Sequence, residues 1–205
     1  MVDSEPHSLA SWSTVLSRRG ITLTQPVIDR MFGLRQIEAA RMLVDVYGLT
    51  EEPTSLAKEK EEYQIRHLDG QITAMPGLFE LLTESERRGL VVAVASSGAQ
   101  SYVAAVLTAI NLSDRFHAVV TGDDVVNGKP APDVFLVAAR ALQVEPCECV
   151  VLEDAPSGVQ AAKAAGMRCV AVPNAHTRAL DLSVADFVLS SLLAVRDRLE
   201  TLLSS

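Results

Sequence analysis

The chain has 205 residues, of which 48% are hydrophobic and 21% are charged. This composition is typical of a globular domain and excludes disordered and fibrous proteins. The formal net charge is −8, and neither half of the chain is basic. We therefore expect no nucleic acid and no anionic membrane among its partners. No apolar run approaches the roughly 20 residues that are needed to span a bilayer.

The three cysteines are Cys147, Cys149 and Cys169. Their odd number and their spacing fit neither a disulfide framework nor a zinc site. Cys149 and Cys169 lie in apolar runs, which predicts buried thiols. Because no basic-then-apolar signal opens the chain, we expect a reducing, cytoplasmic location.

Hydrophobic periodicity divides the chain near residue 75. Before it the pattern is helical, with Leu9, Trp12, Val15 and Leu16 on one face. After it, short apolar runs alternate with helical segments, and these runs are typical of buried parallel strands. This alternation predicts an α/β fold with a doubly wound parallel sheet. The predicted strands are residues 90–95, 118–120, 149–152, 169–172 and 187–189.

Polar residues follow three of these runs. They are Ser96-Ser97-Gly98 after the first, Thr121 to Asp124 after the second, and Glu153-Asp154 after the third, while Lys129 lies in the loop beyond the second run. In open α/β sheets the ligand crevice lies outside the carboxyl ends of the strands. We therefore expect these side chains to converge on one site.

Glu153 and Asp154 are adjacent carboxylates at the end of an apolar strand, where an unpaired charge is costly. Carboxylate oxygens are ligands that Mg²⁺ favours, although one carboxylate of the pair can instead cap the next helix. Lys129 is followed by two nearby prolines that stiffen the loop. It can act as a point charge on a carboxylate or a phosphoryl oxygen, or it can be a solvated surface charge.

Ser96 offers a hydroxyl, and the backbone N–H groups of the small residues Ser97 and Gly98 can approach an anion closely. The alternative is that the Ser96 hydroxyl caps the helix that begins near Ala99. The order of Ser96, Lys129 and the Glu153-Asp154 pair, each beside a strand end, is more specific than any single member.

The strings AVASSG, GKPAPDVF and VVLEDAPSGVQAAKAAGM resemble the second, third and fourth motifs of the haloacid dehalogenase superfamily. The opening VDSEP and the helical stretch up to MPGLFELL resemble the helical-cap subgroup, which includes β-phosphoglucomutase and sugar-phosphate phosphatases. The resemblance implies a remnant of the first motif and hinge at residues 1–8, an α-helical cap at 9–72 and an α/β core at 73–205.

By this resemblance, Ser96 would hydrogen-bond the transferring phosphoryl group and Lys129 would hold the nucleophile and the phosphate together. Asp154 would bind Mg²⁺, with Glu153 assisting. In the cap, Arg35 falls where the family often has a substrate contact, and Lys60 is a weaker candidate of the same kind. Either can instead be a solvent-facing helix residue, Lys60 within the charged string KEKEE.

The sequence departs from the family at its first motif. The two catalytic aspartates and the first strand of the family precede VDSEP, and Asp3 matches a later aspartate that is not catalytic. The resemblance therefore predicts a core whose first strand is missing, with an empty slot between strands 90–95 and 149–152. It also predicts that this chain by itself lacks turnover.

These observations together predict a Mg²⁺-dependent hydrolase that acts on a small phosphorylated metabolite, a sugar or polyol phosphate, as a monomer or weak homodimer. Two alternatives remain open. One is a β-phosphoglucomutase-like phosphotransferase, although Ser8 stands where mutase relatives have a hinge histidine. The other is a non-catalytic relic that retains a phosphate-binding pocket.

Overall fold

The computed structural model describes residues 1–31 and 34–204. Its backbone contacts divide the chain into two compact units. The α/β unit comprises Met1, Ala74–Ser97 and the chain from Leu112 onward, and the helical unit comprises Val2–Thr73 and Gly98–Asn111. The predicted boundaries at residues 8 and 72 stay a prediction. The helical unit of the structure also includes the later segment Gly98–Asn111.

The described residues form ten α-helices and five strands. None of the described helices has the length and apolar character needed to cross a membrane. In chain order the elements are α1 Glu5–Ser17, α2 Gln25–Met31, α3 Gln36–Tyr47, α4 Pro53–Arg66, α5 Leu78–Arg87, β1 Ala93–Ala95, α6 Gln100–Ala109, β2 Ala118–Val120, α7 Asp133–Leu142, β3 Val150–Glu153, α8 Pro156–Ala164, β4 Arg168–Ala171, β5 Phe187–Val188, α9 Leu192–Asp197 and α10 Leu199–Leu203.

All five predicted strands are present and their pairings are parallel, which confirms the predicted α/β class. The strands form two sections, β1-β2 and β3-β4-β5. Within the part of the chain that the structure describes, β1 pairs with β2 alone, and β3 pairs with β4 alone. The sheet is therefore divided between β1 and β3, where the sequence predicted an empty slot.

The backbone directions at this division follow from the hydrogen bonds on the other side of each strand. At the two ends of β1, the Val92 carbonyl accepts a hydrogen bond from the residue before β2, and the Ser96 amide donates one to the last residue of β2. Successive strand residues direct their backbone groups to opposite edges, so Ala95 directs its groups away from β2. In β3, the Glu153 carbonyl accepts a hydrogen bond from the residue after β4, so Leu152 directs its groups away from β4.

One hydrophobic core lies beneath both sheet sections. Its buried members come from β2 in the first section, from β3 and β4 in the second, and from α7 and α8. The first section packs against α7 and the second against α8, and these two helices contact each other, as expected for two parts of one sheet. Representative members are Val120, Phe135, Ala138, Val151, Val159, Ala161 and Ala171.

The cysteines differ in exposure. Cys169 is fully buried, as predicted, and burial raises the pKa of its thiol to about 12. A thiol of this kind is unreactive at neutral pH. Cys149 was also predicted to be buried, but it is only half-buried. Cys147 is exposed.

The helical unit has its own apolar core, and the predicted face of α1 contributes to it. Trp12, Val15 and Leu16 are buried there, and Leu43 of α3 and Leu56 of α4 pack in the same cluster. The amphipathic spacing of α1 therefore identified the buried side of this helix correctly.

Lys60 lies inside the helical unit with only 3% of its surface exposed. Its ammonium donates hydrogen bonds to Ser8 Oγ at 3.0 Å, to Gln36 Oε1 at 3.2 Å and to Gln64. It also lies 5.5 Å from the ring centroid of Trp12. The solvent-facing alternative for this lysine is wrong, because three neighbouring side chains enclose it. Burial among these neutral groups lowers the pKa of Lys60 to about 8.

The lowered pKa makes the stability of this unit depend on pH. The folded value of about 8 lies below the ordinary value of 10.5, so the unfolded chain binds the proton more tightly and the Lys60 contribution to stability rises between these two pH values. The shift corresponds to a destabilisation on the order of 3 kcal/mol at neutral pH.

We expect the difference in free energy of unfolding between wild type and Lys60→Met to move in favour of wild type as the pH rises from about 8 to about 10.5. Urea unfolding at several pH values measures this difference. The matched control is Lys58→Met, because Lys58 is an exposed lysine on the same helix. A wild-type minus Lys60→Met difference as flat as that of the control would contradict the prediction.

Candidate active site

Lys129 joins the two sections of the sheet at the carboxyl ends of their strands. Its Nζ donates a hydrogen bond to the Ala95 carbonyl oxygen at 3.1 Å, at the end of β1, and forms an ion pair with Glu153 at the end of β3. Only 10% of the Lys129 side chain and 9% of the Glu153 side chain are exposed. The ammonium also lies 4.6 Å from the ring centroid of Phe135. Lys129 is therefore fixed in place by these contacts, and the alternative that it is a solvated surface charge is wrong.

The loop that carries Lys129 is fixed at both ends. Pro132 is the N-cap residue of α7, and the Ala131 amide donates to the Gly128 carbonyl at 3.0 Å. The Asn127 side chain donates to Asp133 Oδ1 at 3.1 Å. These contacts give the lysine a defined direction, as the sequence predicted from the two prolines.

Glu153 is the last residue of β3, and Asp154 follows it in the short connection to α8. The Asp154 amide donates to Glu153 Oε2 at 3.2 Å. Burial, followed by the neighbouring Glu153 charge, raises the pKa of Asp154. A cation beside this carboxylate would compensate both effects.

Gly158, in the first turn of α8, allows the Glu153 side chain to occupy its position. A Cβ atom built on this glycine would overlap the Glu153 carboxylate. Gly158 is not among the site residues predicted from the sequence. The available signal was a glycine within a helical segment directly after an acidic pair, which indicates close packing.

Asn174 contacts Asp154 from the loop after β4. Its Nδ2 donates to Asp154 Oδ2 at 2.8 Å. Asn174 is not among the site residues predicted from the sequence, which come from the ends of the first three strands and the loop with Lys129. Applying the same rule to the fourth strand would have identified Asn174, because it lies three residues beyond the end of β4.

The serines lie directly beyond β1. The Ser96 amide donates to the Val120 carbonyl at 2.9 Å and extends the β1-β2 ladder. This places Ser96 next to Ala95, whose carbonyl binds Lys129. Ser97 follows within the α/β unit, whereas Gly98 begins a segment of the helical unit. The structure thus brings Ser96, Lys129, Glu153 and Asp154 to one edge of the α/β unit, and their roles stay predictions.

The acidic turn after β2 has a structural explanation. Asp124 Oδ2 accepts hydrogen bonds from the Thr121 amide and hydroxyl, both at 2.7 Å. These bonds lower the pKa of Asp124 and close the 3₁₀ turn Gly122–Asp124. Asp124 therefore caps a turn, and this contact accounts for one of its carboxylate oxygens.

Arg35, the predicted substrate contact in the cap, is the N-cap residue of α3. Its Nε donates to Glu38 Oε1 at 2.8 Å, and its backbone amide donates to Glu38 Oε2 at 3.0 Å. Glu38 thus balances the Arg35 charge locally. The residues just before Leu34, at positions 32 and 33, lie outside the described residues. A substrate contact by Arg35 stays a prediction.

The donor set near β3 fits a magnesium ion better than a metal that requires an all-protein cage. Across residues 1–31 and 34–204, no group of three His, Cys, Asp or Glu side chains is placed to hold a metal. Mg²⁺ commonly uses one or two carboxylates and fills its other positions with water and substrate oxygens. Of the pair, Asp154 would be the better ligand for such an ion, because Lys129 already engages Glu153.

Residues 1–172 match the family described as haloacid dehalogenase-like hydrolase. The match spans more than half of the chain, so the chain belongs to this family, as its motifs predicted.

Among curated relatives, the chain is 36% identical over 203 residues to (DL)-glycerol-3-phosphatase 1, mitochondrial, of Arabidopsis thaliana, covering 94% of this chain and 67% of that protein. It is 34% identical over 173 residues to fructose-1-phosphate phosphatase YqaB of Escherichia coli, covering 84% and 90%. It is 53% identical over 106 residues, 51% of this chain, to the Arabidopsis thaliana protein SUPPRESSOR OF QUENCHING 1, chloroplastic, but spans only 10% of that protein.

A solved structure shows the same fold. CbbY from Rhodobacter sphaeroides, crystallised in complex with phosphate, superposes with a TM-score of 0.86 at 24% identity, covering 95% of this chain and 91% of that chain. At this level of identity the similarity establishes the fold, including the combination of a helical cap and an α/β core.

The tight approach of Gly158 to Glu153 yields a stability prediction. We expect Gly158→Ala to displace the Glu153 carboxylate from Lys129 and to lower the free energy of unfolding by about 1 to 3 kcal/mol. Urea unfolding of Gly158→Ala, Glu153→Ala and the double variant gives the coupling between the two sites. In the Glu153→Ala background the added methyl group should cost much less. Additive effects would contradict the proposed overlap.

Proposed function

We propose that this chain is the phosphate- and metal-binding part of a Mg²⁺-dependent phosphomonoester hydrolase that acts on a small sugar or polyol phosphate. The observation that carries the proposal is the position of Lys129, held by Ala95 and Glu153 beside Asp154 at the carboxyl ends of β1 and β3. The relatives named as glycerol-3-phosphate and fructose-1-phosphate phosphatases support this substrate class.

The residues of the site would have different roles, which follow from their charges. Lys129 would place its ammonium against a phosphoryl oxygen, and the Ser96 hydroxyl would donate a hydrogen bond to the same group. Asp154 would ligate the metal, with Glu153 acting less directly because it neutralises Lys129. A bound Mg²⁺ supplies charge neutralisation of the phosphoryl group. In phosphoryl transfer, such positioning and charge compensation supply most of the acceleration.

The nucleophile is a separate requirement. The two carboxylates beside Lys129 are already in use, because Glu153 forms the ion pair and Asp154 is held by Asn174. We propose that the nucleophilic aspartate is that of the first family motif, which has no counterpart within residues 1–205. Residues 1–205 would then bind and orient phosphate without forming an acyl phosphate.

We expect residues 1–205 alone to show no phosphatase turnover, and an extended form in which the first strand and first motif of the family are placed ahead of Met1 to be active with Mg²⁺. Both forms are assayed against p-nitrophenyl phosphate, glycerol 3-phosphate and fructose 1-phosphate, with EDTA as the metal-free control. Equal Mg²⁺-dependent turnover by the two forms would refute the requirement for a nucleophile from the first family motif. Phosphate binding without turnover by the extended form would favour the non-catalytic relic.

In the extended form we expect Lys129→Ala to lower kcat/KM and Asp154→Asn to weaken the response to Mg²⁺. Each effect should exceed about tenfold, or about 1.4 kcal/mol in barrier height. The matched controls are Lys163→Ala and Asp186→Asn, which disrupt a more exposed ion pair in the same unit. Kinetics no more altered than in the controls would place the site elsewhere.

The phosphotransferase alternative is disfavoured by Ser8. Its hydroxyl accepts a hydrogen bond from Lys60 at 3.0 Å, and a serine does not change its protonation state near neutral pH as a histidine does. Two further statements remain predictions: a cytoplasmic location, and a monomer or weak homodimer as the oligomeric state.

A further inference from the structure

We infer that Asn174 is a positioning residue that fixes the carboxylate of Asp154. The inference rests on the proposed function, in which Asp154 ligates the metal. Asn174 lies in the loop after β4 and is 9% exposed. Its Nδ2 donates to Asp154 Oδ2 at 2.8 Å. The contact engages one carboxylate oxygen, so Oδ1 can still coordinate a cation.

The orientation of the Asn174 amide is determined by its own surroundings. Its Oδ1 accepts the backbone N–H of His176 at 2.8 Å and that of Thr177 at 3.1 Å. Only the oxygen of the amide can accept these bonds, so the NH₂ group must face Asp154. Turning the amide over would lose both bonds and would aim an acceptor at a carboxylate.

Thr177 completes the network from the other side. Its hydroxyl accepts the backbone N–H of Asn174 at 3.0 Å and donates to Asn174 Oδ1 at 3.3 Å. Thr177 is 7% exposed. Both the backbone and the side chain of Asn174 are therefore held by buried groups, and such networks are stiff when every member is satisfied.

A stiff donor on Oδ2 restricts the rotation of the Asp154 side chain, and Oδ1 then keeps one direction toward a bound cation. Outer partners of this kind typically change metal affinity by about 10- to 100-fold when they are removed. Asn174 would thus act on metal binding without touching the metal or the substrate.

The test measures Mn²⁺ binding to the extended form by electron paramagnetic resonance, with Mn²⁺ as a probe for a magnesium site of oxygen ligands. We expect Asn174→Ala and Thr177→Val to raise the Mn²⁺ Kd by about tenfold or more. Thr177→Ser keeps the hydroxyl and should stay within about twofold of wild type. Leu180→Ala, an exposed position in the same loop, is the matched control.

A parallel Asp154→Asn measurement separates this inference from the proposed function. If Asp154→Asn abolishes Mn²⁺ binding while Asn174→Ala and Thr177→Val leave the Kd unchanged, the positioning role is overturned and the metal site stands. If all three leave it unchanged, both are overturned. A lower melting temperature with an unchanged Kd assigns Asn174 a structural role only and overturns the inference. If Asn174→Ala does not fold, equal Kd values for Thr177→Val and Thr177→Ser overturn it.

Discussion

The contact on which the α/β unit most depends is the Lys129 ammonium between the Ala95 carbonyl and the Glu153 carboxylate. It is the polar link between two sheet sections that share one core but do not pair with each other among the described residues. A buried ion pair adds little net stability compared with an apolar replacement, yet removing one partner costs about 3 to 5 kcal/mol. The ion pair therefore fixes the positions of Lys129 and Glu153 more than it stabilises the fold.

The same contact explains why two adjacent carboxylates differ in chemistry. The charge of Glu153 is compensated by Lys129, and its carboxylate packs against Gly158. The ion pair therefore fixes its position, and the missing side chain at Gly158 of α8 leaves room for it. For Asp154, burial and the Glu153 charge outweigh the opposing charges of the chain N-terminus and of Lys129, and they raise its pKa. A cation added to this edge would gain more from Asp154 than from Glu153. Charge balance therefore supports the proposal that Asp154, more than Glu153, would ligate the metal, in addition to the family resemblance.

The sequence predicted the elements better than the contacts. All five strands were found, because buried parallel strands are continuous apolar runs, and the side chains at their carboxyl ends were identified by position. The partner of Lys129 could not be read, because Glu153 is 24 residues away and only the fold brings the two together. Lys60 lies in a charged string that is typical of a solvated helix face, yet α1 and α3 enclose it. Burial of this kind is set by tertiary packing, which local periodicity does not encode.

The division of the sheet leaves the facing edges of β1 and β3 with backbone groups that need hydrogen-bond partners. Ala95 and Leu152 direct backbone groups toward the gap between β1 and β3, and each buried group without a partner costs on the order of 1 to 3 kcal/mol. Lys129 satisfies one of these groups, the Ala95 carbonyl, with a charged donor. A phosphate or a further strand that approached this gap would therefore meet a lysine whose hydrogen bonds are already divided between backbone and carboxylate. Binding there would redistribute the existing hydrogen bonds of Lys129. The affinity for phosphate should therefore depend on how readily Glu153 shares the Lys129 ammonium with the phosphate.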